Sequence, residues 1–212
     1  MGVPQSKTDI ANLALDYIGE LPVASIDPPS ASEEALLSRH YDTEREKLLR
    51  NHLWNFAKKR ATISRSGTPA FDYADKYLLP SDFLRFISIE GDTEIEFETD
   101  YDIEGEEVLM DNGGANSINI RYIANIEDIS LWDATTRAAL ARAVALAICY
   151  HYTKSNKAVE RCNAEYNISL AEAINADSME RPPKRRSESN LIRRRRLIGG
   201  SRAGIAEINE VI

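Results

Sequence analysis

Residues 41–63 read YDTEREKLLRNHLWNFAKKRATI, and the period of the chain changes partway along them. Up to His52 the pattern is helical. Ser30 and Glu33 fit a capping box, and Leu37, Tyr41 and Leu48 share one face with charged residues opposite. Past Leu53 come Trp54 and Phe56, large residues of the buried kind, and the chain turns extended. Lys58, Lys59 and Arg60 then fit a solvated strand face better than a nucleic-acid patch.

Working outward, residues 6–20 (SKTDIANLALDYIGE) predict a first helix. Ser6 and Asp9 form its capping box, Ile10, Leu13, Ala14, Tyr17 and Ile18 its apolar stripe, and Gly19 its stop. Adjacent prolines at 28 and 29 close the loop that follows. On the other side, 82–91 (DFLRFISIEG) is strand-like. In 93–105 (TEIEFETDYDIEG) the alternation is strict: Ile95, Phe97, Thr99 and Tyr101 face one way, Glu94, Glu96, Glu98, Asp100 and Asp102 the other. EEVLM, DNGG and SINIRYI then read as a hairpin turning at Asn112-Gly113. Helical period returns at 130–153, with Ser130 and Asp133 as start signal. It continues over 158–179, where Val159, Cys162, Tyr166 and Ala173 form a stripe and Pro182-Pro183 the end. These elements predict a four-helix bundle (residues 1–64 and 124–180), an inserted antiparallel β-domain of four or five strands (65–123) and an extended basic C-terminal arm (181–212).

Charge divides along the same line. The 212 residues carry a net charge of −8, yet 181–212 hold nine basic and three acidic residues, a net of +6, which leaves −14 on the rest. Such asymmetry suggests two parts with different tasks. No apolar run approaches the ~18 residues of a membrane span, and the start, MGVPQSKTD, has no secretory signal. Cys149 and Cys162 are expected to be reduced and packed. Cys149 and His151, at i and i+2 on a helix, point too far apart to share a metal.

Catalytic motifs do not emerge. His40, His52 and His151 stand in no metal-binding pair, and neither a phosphate-binding glycine loop nor a nucleophile elbow is present. The expectation is no catalytic residue, no metal and no cofactor. The carboxylates from Glu94 to Asp102 raise the question of a metal-dependent nuclease, but alternate residues along one strand stand ~7 Å apart, too spread for one ion. They read as a solvated sheet face, or as a channel lining that repels a phosphate backbone and lets it slide.

Several stretches in order carry a resemblance: LDYIGELPVASI (15–26), the YD…LL..H.WNFA..RA.I pattern from Tyr41 to Ile63, KYLLPSDFLRFISIEG (76–91) with Pro80 and Asp82, and LWDATTRAALARAVALAICYHYT (131–153). Over residues 6–180 the chain resembles the tail tubular protein A family of short-tailed bacteriophages, the head-to-tail adaptors or gatekeepers. The resemblance implies a structural virion protein with no enzymatic activity, assembled in the host cytoplasm into the neck of the particle. It implies a ring of copies, commonly twelve-fold, beneath the portal protein. Such a ring presents a platform to the tail nozzle or tail tube, and DNA passes through it without specific binding. Tyr41, Trp54, Phe56, Pro80 and Asp82 would then be structural members of the family pattern.

The arginine run lies outside that pattern and is read from its own residues. Lys184, Arg185, Arg186 and Arg193, Arg194, Arg195, Arg196 repel one another in a free chain. Yet Leu191, Ile192, Leu197 and Ile198 flank the run, and Ile205, Ile208 and Val211 recur every third residue. Apolar residues beside arginine fit an arm that folds on a protein partner, with guanidinium groups paired to carboxylates in a partly dry groove. The expected partner is the portal protein. The alternative is a nucleic-acid-binding protein that uses the same arginines on phosphates.

Overall fold

The computed structural model describes residues 6–89 and 101–180. Helix α1 (Lys7–Ile18) starts as predicted: Asp9 N donates to Ser6 Oγ at 3.1 Å and Ser6 N to the Asp9 carboxylate at 3.1 Å. It stops at Gly19, whose φ of 84° is strained for any residue bearing a Cβ. Asn12 holds the following loop against the helix, accepting from Val23 N at 2.9 Å and donating to Val23 O at 3.1 Å.

Helix α2 (Ser32–Asn51) caps one residue away from the expected pair. The Glu34 carboxylate, not that of Glu33, accepts from Ser30 N (2.6 Å), Ser30 Oγ (2.7 Å) and Ala31 N (3.0 Å). Ala31 is the cap residue, so the third helical position falls on Glu34 and Glu33 points to solvent. Helix α3 (Ala134–Thr153) begins later than Ser130. Residues Ile129–Leu131 form a separate 3₁₀ turn capped by Asp128, and Asp133 caps α3 through Thr135 N at 2.8 Å. Two aspartates five positions apart each take a cap, so the single Ser130–Asp133 box does not form. Buried Trp132 lies between them.

Alanine lets α3 approach its neighbours closely. Ala139, Ala141 and Ala145 are buried with Leu140, Val144 and Ile148, and both α1 and α2 pack against this helix. Helix α4 (Asn156–Met179) presents a narrower seam, with Cys162, Ser169, Ala173 and Asp177 buried and Ile168 exposed. The seam meets α3, where the Cys162 and Cys149 sulfurs stand 3.4 Å apart and Arg142 donates to Glu165 at 2.7 Å. The same guanidinium sits 4.4 Å over the ring of Tyr17 on α1.

The sheet has six antiparallel strands: β1 (Lys58–Gly67), β2 (Asp75–Leu78), β3 (Phe83–Ile89), β4 (Tyr101–Glu104), β5 (Glu107–Met110) and β6 (Ser117–Ala124). Their order is β3-β6-β1-β2-β5-β4. Strand β1 pairs with β6 along 58–64 and with β2 at Arg65 and Gly67, across a register shift that bends it. The sheet curls until its outer strands approach, the rings of Phe86 on β3 and Tyr101 on β4 lying 5.1 Å apart. Ala61↔Ile120 and Ile63↔Ile118 point inward, while Thr62↔Asn119 faces out and is hydrogen-bonded at 2.7 Å.

Three further expectations need correction, the first being the strand count, which is six and not four or five. The β region is not confined to 65–123: β1 begins at Lys58, and Ala61, Ile63 and the inward side chains of β6 pack in the same hydrophobic cluster as Trp54, Leu140 and Val144 of the helical part. The described residues through Ser178 form one compact unit. Nor do EEVLM and SINIRYI form a hairpin. Strand β5 turns back at Gly105-Glu106 to pair with β4, and β6 pairs with β1 and β3. The DNGG stretch instead crosses from one half of the sheet to the other, for a reason that lies in Asp75.

Candidate functional site

Asp75, at the start of β2, is completely buried. Its Oδ2 accepts from Gly114 N at 2.8 Å and Asn112 N at 3.3 Å, and its Oδ1 pairs with Arg65 Nε at 2.6 Å. Gly113 and Gly114 take φ of 61° and 78°, a turn that brings the alternate backbone N–H groups of Asn112 and Gly114 to one carboxylate. The positive φ angles fall on Gly113 and Gly114, one residue later than the expected Asn112-Gly113, and they wrap a carboxylate rather than a hairpin. The Gly114 N–H chiefly, with Arg65 and Asn112 and against the cost of burial, holds the Asp75 carboxyl below its ordinary value. A carboxyl lowered in the folded state stabilises the fold above its unfolded value and loses that contribution as pH falls through the folded one. Asp75→Asn is therefore expected to be less stable than the parent chain at pH 7, with the gap narrowing at pH 3. Urea midpoints at the two pH values check this, and a gap that widens in acid contradicts it.

The WNFA segment carries the junction of the helical part with the sheet. Trp54 is fully buried and its Nε1 donates to Leu48 O at 2.8 Å, satisfying a carbonyl in the last turn of α2. Aromatic rings continue on both sides: His52 at 4.8 Å from Trp54, Phe56 at 6.0 Å, and Trp132 at 5.0 Å from Phe56. Tyr41 is also fully buried, and burial pushes its hydroxyl well above the ordinary range. The Pro80–Asp82 turn sets Asp82 beneath β1 and β6. Its carboxylate accepts from Lys59 Nζ at 2.6 Å and Tyr122 Oη at 2.9 Å, and its backbone O from Asn125 N at 2.7 Å. Burial raises the Asp82 carboxyl, but the Lys59 and Tyr122 bonds outweigh it and the net shift is downward. Lys59 is thus spent on Asp82 and Lys58 donates to Asn55 Oδ1 at 2.8 Å, leaving Arg60 exposed on the strand.

Sequence reading missed Asp177. It is buried near the end of α4 and clamps the start of the WNFA segment: Oδ1 accepts from Asn55 N at 2.6 Å, Oδ2 lies 2.9 Å from His52 Nε2, and its backbone O accepts from Asn55 Nδ2 at 2.8 Å. Nothing local marks this aspartate. Its partners lie more than 120 residues away, and only its place on the Cys162, Ser169, Ala173 seam hinted at burial. Asp177→Ala removes charged hydrogen bonds from a dry site and is expected to cost about 2–4 kcal/mol of stability. Chemical denaturation checks the value, and a loss under ~1 kcal/mol overturns the clamp.

The remaining expected site residues divide. Tyr101 packs against the core, while Asp102, Ile103 and Glu104 are exposed, and Asp102 accepts from Tyr73 Oη at 3.0 Å. Glu94, Glu96, Glu98 and Asp100 lie outside the described residues, as do Lys184, Arg185, Arg186 and Leu191–Ile198. Among the described residues, no three His, Cys, Asp or Glu side chains gather in a group that would hold a metal ion. No helix there is long and apolar enough to cross a membrane. A shallow, open groove runs between α2 and α3, with Arg39, His40, Glu44 and Lys47 of α2 and Ala147 of α3 among its lining residues.

Fold and site together define an α+β protein of four helices and a curled, six-stranded antiparallel sheet, joined by one aromatic and carboxylate-pinned junction. Set beside known protein families and curated protein sequences, the chain matches none.

Proposed function

We propose that this chain is a structural virion protein, a head-to-tail adaptor whose copies form a ring beneath the portal. In this reading the four helices act as a bundle that carries the ring contacts. The curled sheet contributes to the platform for the tail, and the extended C-terminal arm docks on the portal. The observation that carries the proposal is the division of charge, −14 on residues 1–180 against +6 on 181–212. Like-charged bodies stay apart in solution, while a cationic arm with apolar flanks seeks a separate acidic and partly dry partner. The ordered motifs from Leu15 to Thr153 support it. Tyr41 and Trp54 lie buried in the core, and the half-buried Asp82 is a pin between strands. Residues of that kind hold a rigid body in shape, as a ring subunit needs.

Assembly follows from the arm. Ordering each arm costs conformational entropy, which burial of Leu191, Ile192, Leu197 and Ile198 and pairing of the arginines offset. Neighbouring copies on one portal then hold each other by multivalency. Electron microscopy of the purified chain with and without portal rings tests this. Rings of density beneath the portal are expected only in the mixture. Rejection follows if the chain leaves portals bare, or turns over a substrate. If the arginines serve nucleic acid instead, the chain shifts duplex DNA in a gel with a steep salt dependence.

A further inference from the structure

Cys149 lies in the last turns of α3, and Cys162 in the second turn of α4. The chain reverses between them at Lys154, which sits in the left-handed region at φ 50°. Both thiols are free, Cys149 fully buried and Cys162 nearly so. The Cys162 thiol donates to the Cys149 sulfur at 3.4 Å, and Cys149 lies 3.8 Å from the Thr153 hydroxyl. These are the chain's two cysteines, brought together by a helical hairpin. Core packing alone accounts for two buried thiols but does not require the sulfurs to touch. A disulfide needs about 2.05 Å between sulfurs, so they must close by ~1.4 Å.

We propose that Cys149 and Cys162 form an oxidisable dithiol, a modification site at which a small-molecule disulfide converts the pair to an intramolecular disulfide that staples α4 to α3. The electrons balance through thiol–disulfide exchange. One cysteine, as thiolate, attacks a sulfur of glutathione disulfide. This forms a mixed disulfide and expels one glutathione thiolate. The second cysteine then attacks the protein-side sulfur, breaks the mixed disulfide and expels the second glutathione. Two protein thiols are oxidised, one glutathione disulfide is reduced to two thiols, and the two protons released go to the leaving thiolates.

The fold favours the second step over accumulation of the mixed disulfide. A glutathionyl group has no room at a buried sulfur, and the resolving sulfur is already in contact. The fold also slows the first step. Burial, and then the hydrogen bond with Cys149, push the Cys162 thiol up to about 11, so little thiolate is present near neutral pH. Reaction therefore waits on opening of the first turns of α4. The consequence is mechanical. Helix α4 touches the core along one seam, held by Arg142–Glu165 near its middle and by Asp177 near its C-terminal end. A covalent link at Cys162 fixes its N-terminal half as Asp177 fixes its C-terminal end.

The folded, full-length chain is incubated with glutathione disulfide and followed by intact mass and thermal melting. The expected product has lost two hydrogens, yields one linked peptide joining Cys149 to Cys162, runs as a monomer without reductant, and melts about 5–10 °C higher until a thiol reductant restores the parent value. Cys162→Ser, a near-isosteric change, is expected to lose no hydrogens and gain no melting temperature. Three outcomes overturn the proposal: stable glutathionylation without internal closure, a disulfide between two chains, or persistence of both thiols where the urea-unfolded chain oxidises. An internal disulfide that leaves the melting temperature unchanged or lower removes the staple.

Discussion

Replacing Trp54 by alanine is expected to cost about 3–5 kcal/mol, a large fraction of the stability an ordinary domain possesses. Three losses combine. The largest fully buried side chain in the described core disappears, and a cavity opens between α2, the WNFA turn and the Phe56–Trp132 ring pair. The Leu48 carbonyl in the last turn of α2 loses its donor. The edge contact with His52 goes too, loosening the residue through which Asp177 pins α4. Trp54→Phe separates these effects. It keeps most of the apolar volume and the ring contacts but not the N–H, so it should cost about 1–2 kcal/mol. Urea unfolding followed by far-ultraviolet circular dichroism gives both values. If Trp54→Ala shifts stability by less than ~1 kcal/mol, the junction described here is not the centre of the core.

The second large effect concerns binding. Deleting residues 184–212 is expected to abolish capture by portal rings while leaving the melting temperature of the body unchanged, because the compact unit of described residues ends at Ser178. Reversing Arg193, Arg194, Arg195 and Arg196 to glutamate should weaken capture at least ~100-fold, about the loss of one or two desolvated charge pairs. A companion variant with Leu191, Ile192, Leu197 and Ile198 changed to serine tells protein from nucleic acid. In a protein groove the apolar residues are buried beside the arginines and both variants fail. On a phosphate backbone only the arginine variant fails, and affinity falls steeply with salt. Portal capture by the truncated chain at parental strength rules out the arm as the clamp.

Much of the architecture is legible without coordinates, and the legible parts share a cause. The Ser6–Asp9 box, the Gly19 stop and the shift from helical to extended period around Trp54 all depend on side chains meeting backbone within about four residues. The burial of Tyr41 and Trp54 likewise follows from size and spacing on one face. The Ser30–Glu33 and Ser130–Asp133 expectations miss by a residue or a turn because several acidic or hydroxyl residues stand near each helix start. Which of them caps depends on where the chain enters from the rest of the fold. The arm and the acidic stretch from Glu94 to Asp100 lie outside the described residues, so for them the sequence remains the source of the reading.

Taken alone, the amino-acid sequence determined the class of the fold, the helix starts and stops with strong local chemistry, and the division of charge between residues 1–180 and 181–212. Tertiary structure alone decided the strand order, the carboxylate nest at Asp75, the Asp177 clamp and the contact between the two thiols. The DNGG stretch shows why. Its glycines suit a hairpin turn and a carboxylate nest equally well, and the deciding partner, Asp75, stands 39 residues from Gly114. A local pattern records which backbone angles a segment tolerates. The buried group that rewards one use of those angles arrives from elsewhere in the chain, when the desolvation of that group must be offset.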